Sequence, residues 1–345
     1  MSSGLFSIAT VASLFVGRSG KVCLQSPLTH FAWREQARPY VAPLLLGAFL
    51  CTLSACAPML PPIPSGTPGI SFQQVREDGK TVRLAVREAG RGKPIVMIHG
   101  LGASSYTWHA IMPQLARTNR VIALDLKGFG DSEKPLDDAY SISDQARLVA
   151  NYMDRNNLRG VTLVGHSFGG AVAMAVALED AQGGPRRIEK LVLIDSLAYK
   201  QPVPFFFRVL QTPIIGELGI NLIPPEVQIG RALAVAYYHD ERVKDETVAT
   251  YASPLASEGG KHALLRTVES LTQEDADAFS SRYQKLKTPA LLIWCEHDRI
   301  VPLTFGKRLA GDLPNAQIDV IEECGHIPQE EEPGETLAAI QKFAR

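Results

Sequence analysis

The amino-acid sequence predicts an α/β fold: a mostly parallel sheet with helices on both faces and a helical cap inserted over one edge. Three observations carry this expectation. Short continuous apolar runs recur beyond residue 70, each suited to a strand buried on both faces. Stretches with helical spacing separate most of them, the alternation from which parallel sheets are built. One interval, residues 199–287, carries no such run and is too long for a plain loop.

In chain order, residues 82–87 alternate apolar and polar, as an early antiparallel strand does. Pro94–Ile98 is a short apolar run that ends in His99-Gly100, which suits a buried parallel strand. Comparable runs follow at 121–124, 161–164, 191–194, 290–294 and 318–321, with helical spacing between them at 143–156 and 170–178. Within 199–287 the sequence offers prolines, aromatics and amphipathic pieces at 226–238 and 260–271. This reads as a mainly helical cap inserted after the sixth strand of the sheet. No internal repeat or low-complexity segment stands out.

Composition adds bounds. Apolar residues make up 46% and charged residues 21%, which excludes a largely disordered chain. A net charge of -1 gives no reason to expect nucleic acid as a partner. The cysteines at 23, 51, 56, 295 and 324 have no CxxC spacing, so no structural zinc site is expected.

The N-terminal segment reads as an address. Arg34 and Arg38 precede an apolar stretch, residues 41–53, too short to span a bilayer comfortably. The ending Leu53-Ser54-Ala55-Cys56 resembles the lipobox of bacterial lipoproteins, in which the cysteine is lipidated and becomes the mature N-terminus. Several acyl chains on Cys56 would hold the protein to a membrane facing the periplasm or cell exterior. Residues 1–33 form a second, partly apolar stretch that such a signal does not need. No methionine lies between Met1 and Cys56, so a start later than Met1 is expected to use an alternative codon. The division expected is a targeting segment (1–55), a proline-rich tether (56–69), a first core part (70–198), the cap (199–287) and a second core part (288–345).

The chemistry-bearing residues fall at strand ends. Gly165-His166-Ser167-Phe168-Gly169 lies directly after one expected strand and before a small-residue helix. That setting gives a GxSxG string meaning. A serine hydroxyl is a poor nucleophile unless held exposed beside a base, and a strained strand-to-helix turn holds it so. The flanking glycines leave room for the crowded chain.

With His99-Gly100-Leu101-Gly102 ending an earlier strand, the chain resembles the α/β-hydrolase family of capped serine hydrolases, from about residue 75 to 345. The resemblance implies an eight-stranded sheet and an oxyanion hole built from the backbone N–H groups of Leu101 and Phe168. Losing one such donor typically costs on the order of 3 kcal/mol. Cys295-Glu296-His297-Asp298-Arg299-Ile300-Val301-Pro302 resembles the family's acid loop, and Cys324-Gly325-His326-Ile327-Pro328 its histidine loop. By that likeness Asp298 orients the imidazole of His326, which takes the serine proton and later returns it to the leaving group. Asp195 is a rival acid, since some family members use the end of that strand. His99 reads as structural, His297 stands one residue before the acid, and His109, His239 and His262 read as surface or packing residues. The turn from Asp125 to Ser132 resembles one that braces the catalytic edge, and carries no chemistry.

Relatives that open epoxides or displace halide carry aspartate at the nucleophile position, whereas this chain has Ser167. The expected reaction is therefore acyl transfer to water through an acyl-enzyme, with no metal or organic cofactor. The substrate expected is a small molecule, a carboxylic ester with an apolar or small acyl group. Phe205, Phe206, Phe207, Leu210, Ile214, Ile215, Tyr237 and Tyr238 are candidates to line its pocket or to pack the cap. Hydrolysis of a carbon–carbon bond in a dienoate, of an acyl-lactone or of an N-terminal peptide bond stays open, as does a membrane-tethered binding or sensor protein with little turnover. Cys295 and Cys324 are expected near the ends of neighbouring strands, with two buried free thiols favoured over a disulfide.

Overall fold

The computed structural model describes residues 69–77, 79–201, 205–212, 214–271 and 273–345. The expectations for residues 1–68, Cys56 included, lie outside these residues. So do the side chains of Phe205, Phe206 and Phe207.

Eight strands form one sheet: β1 (Ile70–Glu77), β2 (Lys80–Ala89), β3 (Pro94–Ile98), β4 (Arg120–Leu124), β5 (Val161–His166), β6 (Ile188–Ile194), β7 (Ala290–Cys295) and β8 (Ala316–Ile321). Their spatial order is β1-β2-β4-β3-β5-β6-β7-β8. β2 runs antiparallel to both β1 and β4, and every other pairing is parallel. The early antiparallel strand expected over residues 82–87 is β2, the one strand reversed against the sheet, and the structure adds β1 at the edge beyond it. β1 lacks the run of buried apolar side chains that marks the central strands, because an edge strand leaves most of its side chains in water.

Twelve helices accompany the sheet among the described residues. The core helices are α1 (Met112–Leu115), α2 (Ile142–Arg155) and α3 (Phe168–Ala181), then α10 (Leu303–Asp312), α11 (Pro328–Glu331) and α12 (Pro333–Ala344). Between β6 and β7 lie α4 (Phe205–Leu210), α5 (Ile215–Leu222), α6 (Pro225–Ala236), α7 (Asp245–Ala252), α8 (Glu258–Ser270) and α9 (Gln273–Ser280). Among the described residues no strand interrupts these six.

The period of two along each central strand sorts its side chains between two cores. Val96, Ile98, Ile122, Leu163 and Leu292 pack with residues of α2 and α3 on one face. Ile95, Met97, Val121, Val164 and Leu291 pack with α1 and α12 on the other. α3 is buried along its first eleven residues, which explains why its sequence is apolar all round rather than striped. α2, by contrast, shows one apolar face and begins at a capping box, in which Ser141 and Asp144 exchange side-chain and backbone bonds.

Candidate active site

β5 delivers Ser167 at its C-terminal end, and α3 starts at the next residue. Ser167 sits at φ 51° and ψ −118°, a left-handed conformation that L-residues avoid. The surrounding structure fixes it: Ser167 N–H donates to the Ile194 carbonyl at 2.9 Å, and its own carbonyl accepts from Gly170 and Leu197. Two flanking glycines are sterically required. A Cβ on Gly165 would stand 2.3 Å from the Gly169 carbonyl oxygen, and one on Gly169 would stand 2.4 Å from that of His99.

The three residues expected to form the triad meet at the carboxyl edge of the sheet. His326 Nε2 lies 2.9 Å from Ser167 Oγ, and His326 Nδ1 lies 2.7 Å from Asp298 Oδ2. The other carboxylate oxygen of Asp298 accepts from the Ile300 and Val301 backbone N–H groups, at 2.7 and 2.8 Å. Asp298 is thereby anchored as an acceptor facing Nδ1, which keeps that proton in place and leaves the Nε2 lone pair for the serine proton. All three side chains are buried.

Asp195 occupies a different role. It ends β6 at φ 41°, is fully buried, and accepts from the Cys295 backbone N–H at 2.9 Å. Burial first, then the charge of Asp298, hold its carboxyl well above the usual carboxylate range. The bond to His326 belongs to Asp298. Asp195, Asp298 and His326 nonetheless bring one polar atom each within 4.8 Å of one another. This is the one such grouping among the described residues close enough for a metal, but both His326 nitrogens are already engaged.

The turn expected to supply an oxyanion donor packs on the nucleophile: a Cβ on Gly100 would stand 3.2 Å from Ser167 Cβ. Leu101 lies on that turn and lines the adjoining cavity, and Phe168 opens α3. His99 is a structural residue here. Its Nδ1 donates to the Gly100 carbonyl at 2.8 Å and its Nε2 accepts from Leu126 N–H at 3.0 Å. Full burial lowers its pKa. Asp125 braces the same edge, accepting from the backbone of Ser105 and Asp131.

Three supporting residues had no signal in the sequence beyond their place in a motif. His166 Nε2 donates to the His326 carbonyl at 2.8 Å, joining the serine turn to the histidine loop, and burial keeps its imidazole neutral. Glu331 accepts from the backbone N–H groups of Gly325, Ile327 and Tyr238. Glu330 accepts from the hydroxyls of Thr107, Tyr237 and Tyr251, linking the core to the inserted helices.

Cys295 and Cys324 form a disulfide, with Cα atoms 4.9 Å apart. The free thiols favoured from sequence are thus corrected. β7 pairs with β8 so that Cys295 faces Ile321, and the turn after Ile321 brings Cys324 back alongside. The bond joins the loop of Asp298 to the loop of His326. It closes a sequence separation of 29 residues, for which loop entropy predicts a stabilisation of roughly 3–4 kcal/mol. Replacing both cysteines by serine is expected to lower the urea midpoint accordingly, and an unchanged midpoint would mean that the thiols are free in solution.

A cavity of about 360 Å³ opens beside Ser167 and His326. Its walls are mostly apolar, among them Met174, Leu210, Ile229, Leu233, Leu264 and Val268. Among the described residues Lys200 is the one lysine or arginine on its wall. Of the pocket candidates named from sequence, Leu210 lines the cavity, Ile214 and Ile215 are exposed, and Tyr237 is spent on Glu330.

The family model described as alpha/beta hydrolase fold matches residues 93–333. The chain belongs to the alpha/beta hydrolase family. It is 32% identical over 241 residues to an uncharacterized hydrolase, YugF, of Bacillus subtilis, covering 69% of this chain and 85% of that protein. It is 28% identical over 268 residues to the 2-hydroxymuconate semialdehyde hydrolase of a Pseudomonas species, covering 76% and 90%. An alpha/beta hydrolase fold protein from Burkholderia ambifaria superposes with a TM-score of 0.69 at 26% identity, over 80% of this chain and 99% of that one.

Proposed function

We propose that this alpha/beta hydrolase is a serine hydrolase that cleaves carboxylic esters with apolar acyl groups through an acyl-enzyme. The observation that carries the proposal is the Ser167–His326–Asp298 chain of hydrogen bonds opening into an apolar cavity. In this mechanism His326 Nε2 takes the Ser167 proton as Oγ attacks the ester carbonyl. The Leu101 and Phe168 N–H groups hold the developing oxyanion, and the imidazolium then protonates the departing alcohol. Water, deprotonated in turn by His326, releases the acid.

A second reading, cleavage of a carbon–carbon bond in a dienoate, draws support from the named Pseudomonas relative. A dienoate carries a carboxylate that must be desolvated and paired on entry. Lys200, itself exposed, is a poor partner for a charge buried deep in this cavity. The two readings separate on a p-nitrophenyl ester series run beside a 2-hydroxy-6-oxo-dienoate. The ester reading expects kcat/KM to rise with acyl length while the cavity fills, by up to about fourfold per buried methylene. A dienoate turned over faster than every ester would overturn it.

We also propose that the mature chain is exported and held to a membrane by lipid on Cys56. The lipobox-like string supports this, and so does the Cys295–Cys324 disulfide, since such bonds persist in oxidising compartments. No helix among the described residues is long and apolar enough to cross a membrane.

A further inference from the structure

We propose that the outer face of α5 and the start of α6 is a docking surface for the lipid bilayer, which presents membrane-partitioned esters to the cavity. The inference rests on the ester and anchor readings above and extends both. Ile215, Leu218 and Leu222 stand at i, i+3 and i+7 on α5, one face of a helix, and all three are exposed. Ile214, Ile223 and Val227 are exposed beside them. The opposite face of α5 buries Gly216 and Ile220 in the core. The helix is therefore apolar on both sides, with one side in water. Six large apolar side chains exposed within fourteen residues form a patch of the kind that marks an interaction site, whereas Leu136 and Val320 stand singly and Ile70 and Phe72 make only a pair on the edge strand β1.

The chain outside the described residues selects the occupant. Thirteen residues, 57–69, separate Cys56 from β1 and reach at most about 45 Å. Ile70 pairs with Arg87, which pairs with Ala123, one residue from the end of β4. The described chain thus starts near the sheet edge from which the inserted helices project. The sheet itself is only about 20 Å tall, so a lipid on Cys56 is within reach of that edge. Beside the patch Lys261 donates to Asn221 and Arg266 pairs with Glu217 and Glu269, so the charge there is balanced and the apolar face itself carries the contact. On its inner side α6 lines the cavity with Gln228, Ile229, Ala232 and Leu233. Docking of the outer face would set the cavity against the acyl phase.

The test uses the mature protein in phosphatidylcholine vesicles carrying a Leu222→Trp substitution. Trp108 and Trp294 emit but are fully buried, and Trp33 precedes Cys56, so in the mature chain the new indole is the one open to a quencher in the lipid. Bromine on the lipid acyl chains is expected to quench it. Leu218→Asp with Leu222→Asp is expected to slow hydrolysis of a long-chain ester dissolved in the bilayer about tenfold or more. The rate on a short soluble ester without vesicles should not change. An unquenched indole on vesicle-bound protein, or an unaltered bilayer rate, overturns the proposal. So does a species of doubled mass that the aspartate pair splits, which would make the occupant a second copy. Quenching of a chain that begins after Trp33 and carries no acyl label on Cys56 would remove the anchor and keep the docking surface. Quenching without ester turnover would likewise remove only the ester reading.

Discussion

Ser167→Ala is expected to lower ester turnover by at least about 10⁴-fold while leaving the fold intact. The side chain contributes one hydroxyl, bonded to His326 Nε2 at 2.9 Å. Removing it deletes the atom that carries the acyl group, so no rearrangement of the remaining site restores the covalent path. Stability should hardly move, because alanine meets the same backbone demand at φ 51° that serine already meets. What fixes that conformation is the room left by Gly165 and Gly169 and the bond from Ser167 N–H to Ile194. A fluorophosphonate probe checks the point directly. Labelling of the wild type that disappears in Ser167→Ala identifies the nucleophile, and labelling that survives places it elsewhere.

The serine, acid and histidine turns were legible because each is a short string locked to the end of an apolar strand. A strand end is where sequence and position coincide most closely. The buried strands were legible for the same reason, being apolar on both faces, and β1 was less so because it is not. The disulfide depended on register. Nothing in the spacing of Cys295 and Cys324 says that the turn after Ile321 folds back on β7. The support for the histidine loop was invisible as well. Glu330 and Glu331 look like two ordinary acidic residues at the start of a helix, yet both point inward. Burial raises their pKa values, and the hydroxyl and N–H donors around them oppose that shift. Cavity lining was the least legible part. Ile214 and Ile215 have the composition of pocket residues, but helical phase turns Ile215 outward, and phase within a short inserted helix is set by packing against α8 and α4 rather than by composition.

Asp298→Asn is expected to reduce kcat/KM by about 10³–10⁴-fold near neutral pH, and to leave a residual activity that grows with pH. The loss follows from the hydrogen bonds. Ile300 and Val301 N–H groups require an acceptor, so the asparagine carbonyl turns toward them and its NH₂ toward His326 Nδ1. The histidine proton must then move to Nε2, the nitrogen that has to accept from Ser167. The residual activity follows from Asp195. In the wild type its carboxyl is held well above the usual carboxylate range by burial and, after that, by the charge of Asp298. Removing that charge lowers the pKa of Asp195, although burial still holds it above the ordinary carboxylate range. As pH rises through this ionisation, an anion appears within 4.8 Å of the His326 ring nitrogen and stabilises the imidazolium. The wild type is expected to show no such step, since Asp298 already accepts from His326 Nδ1 there. Asp298→Asn combined with Asp195→Asn should therefore lose the pH-dependent component while keeping the low plateau. A pH profile of kcat/KM for the three proteins decides it. If the single and double variants trace the same curve, Asp195 is a packing residue that takes no part in orienting His326.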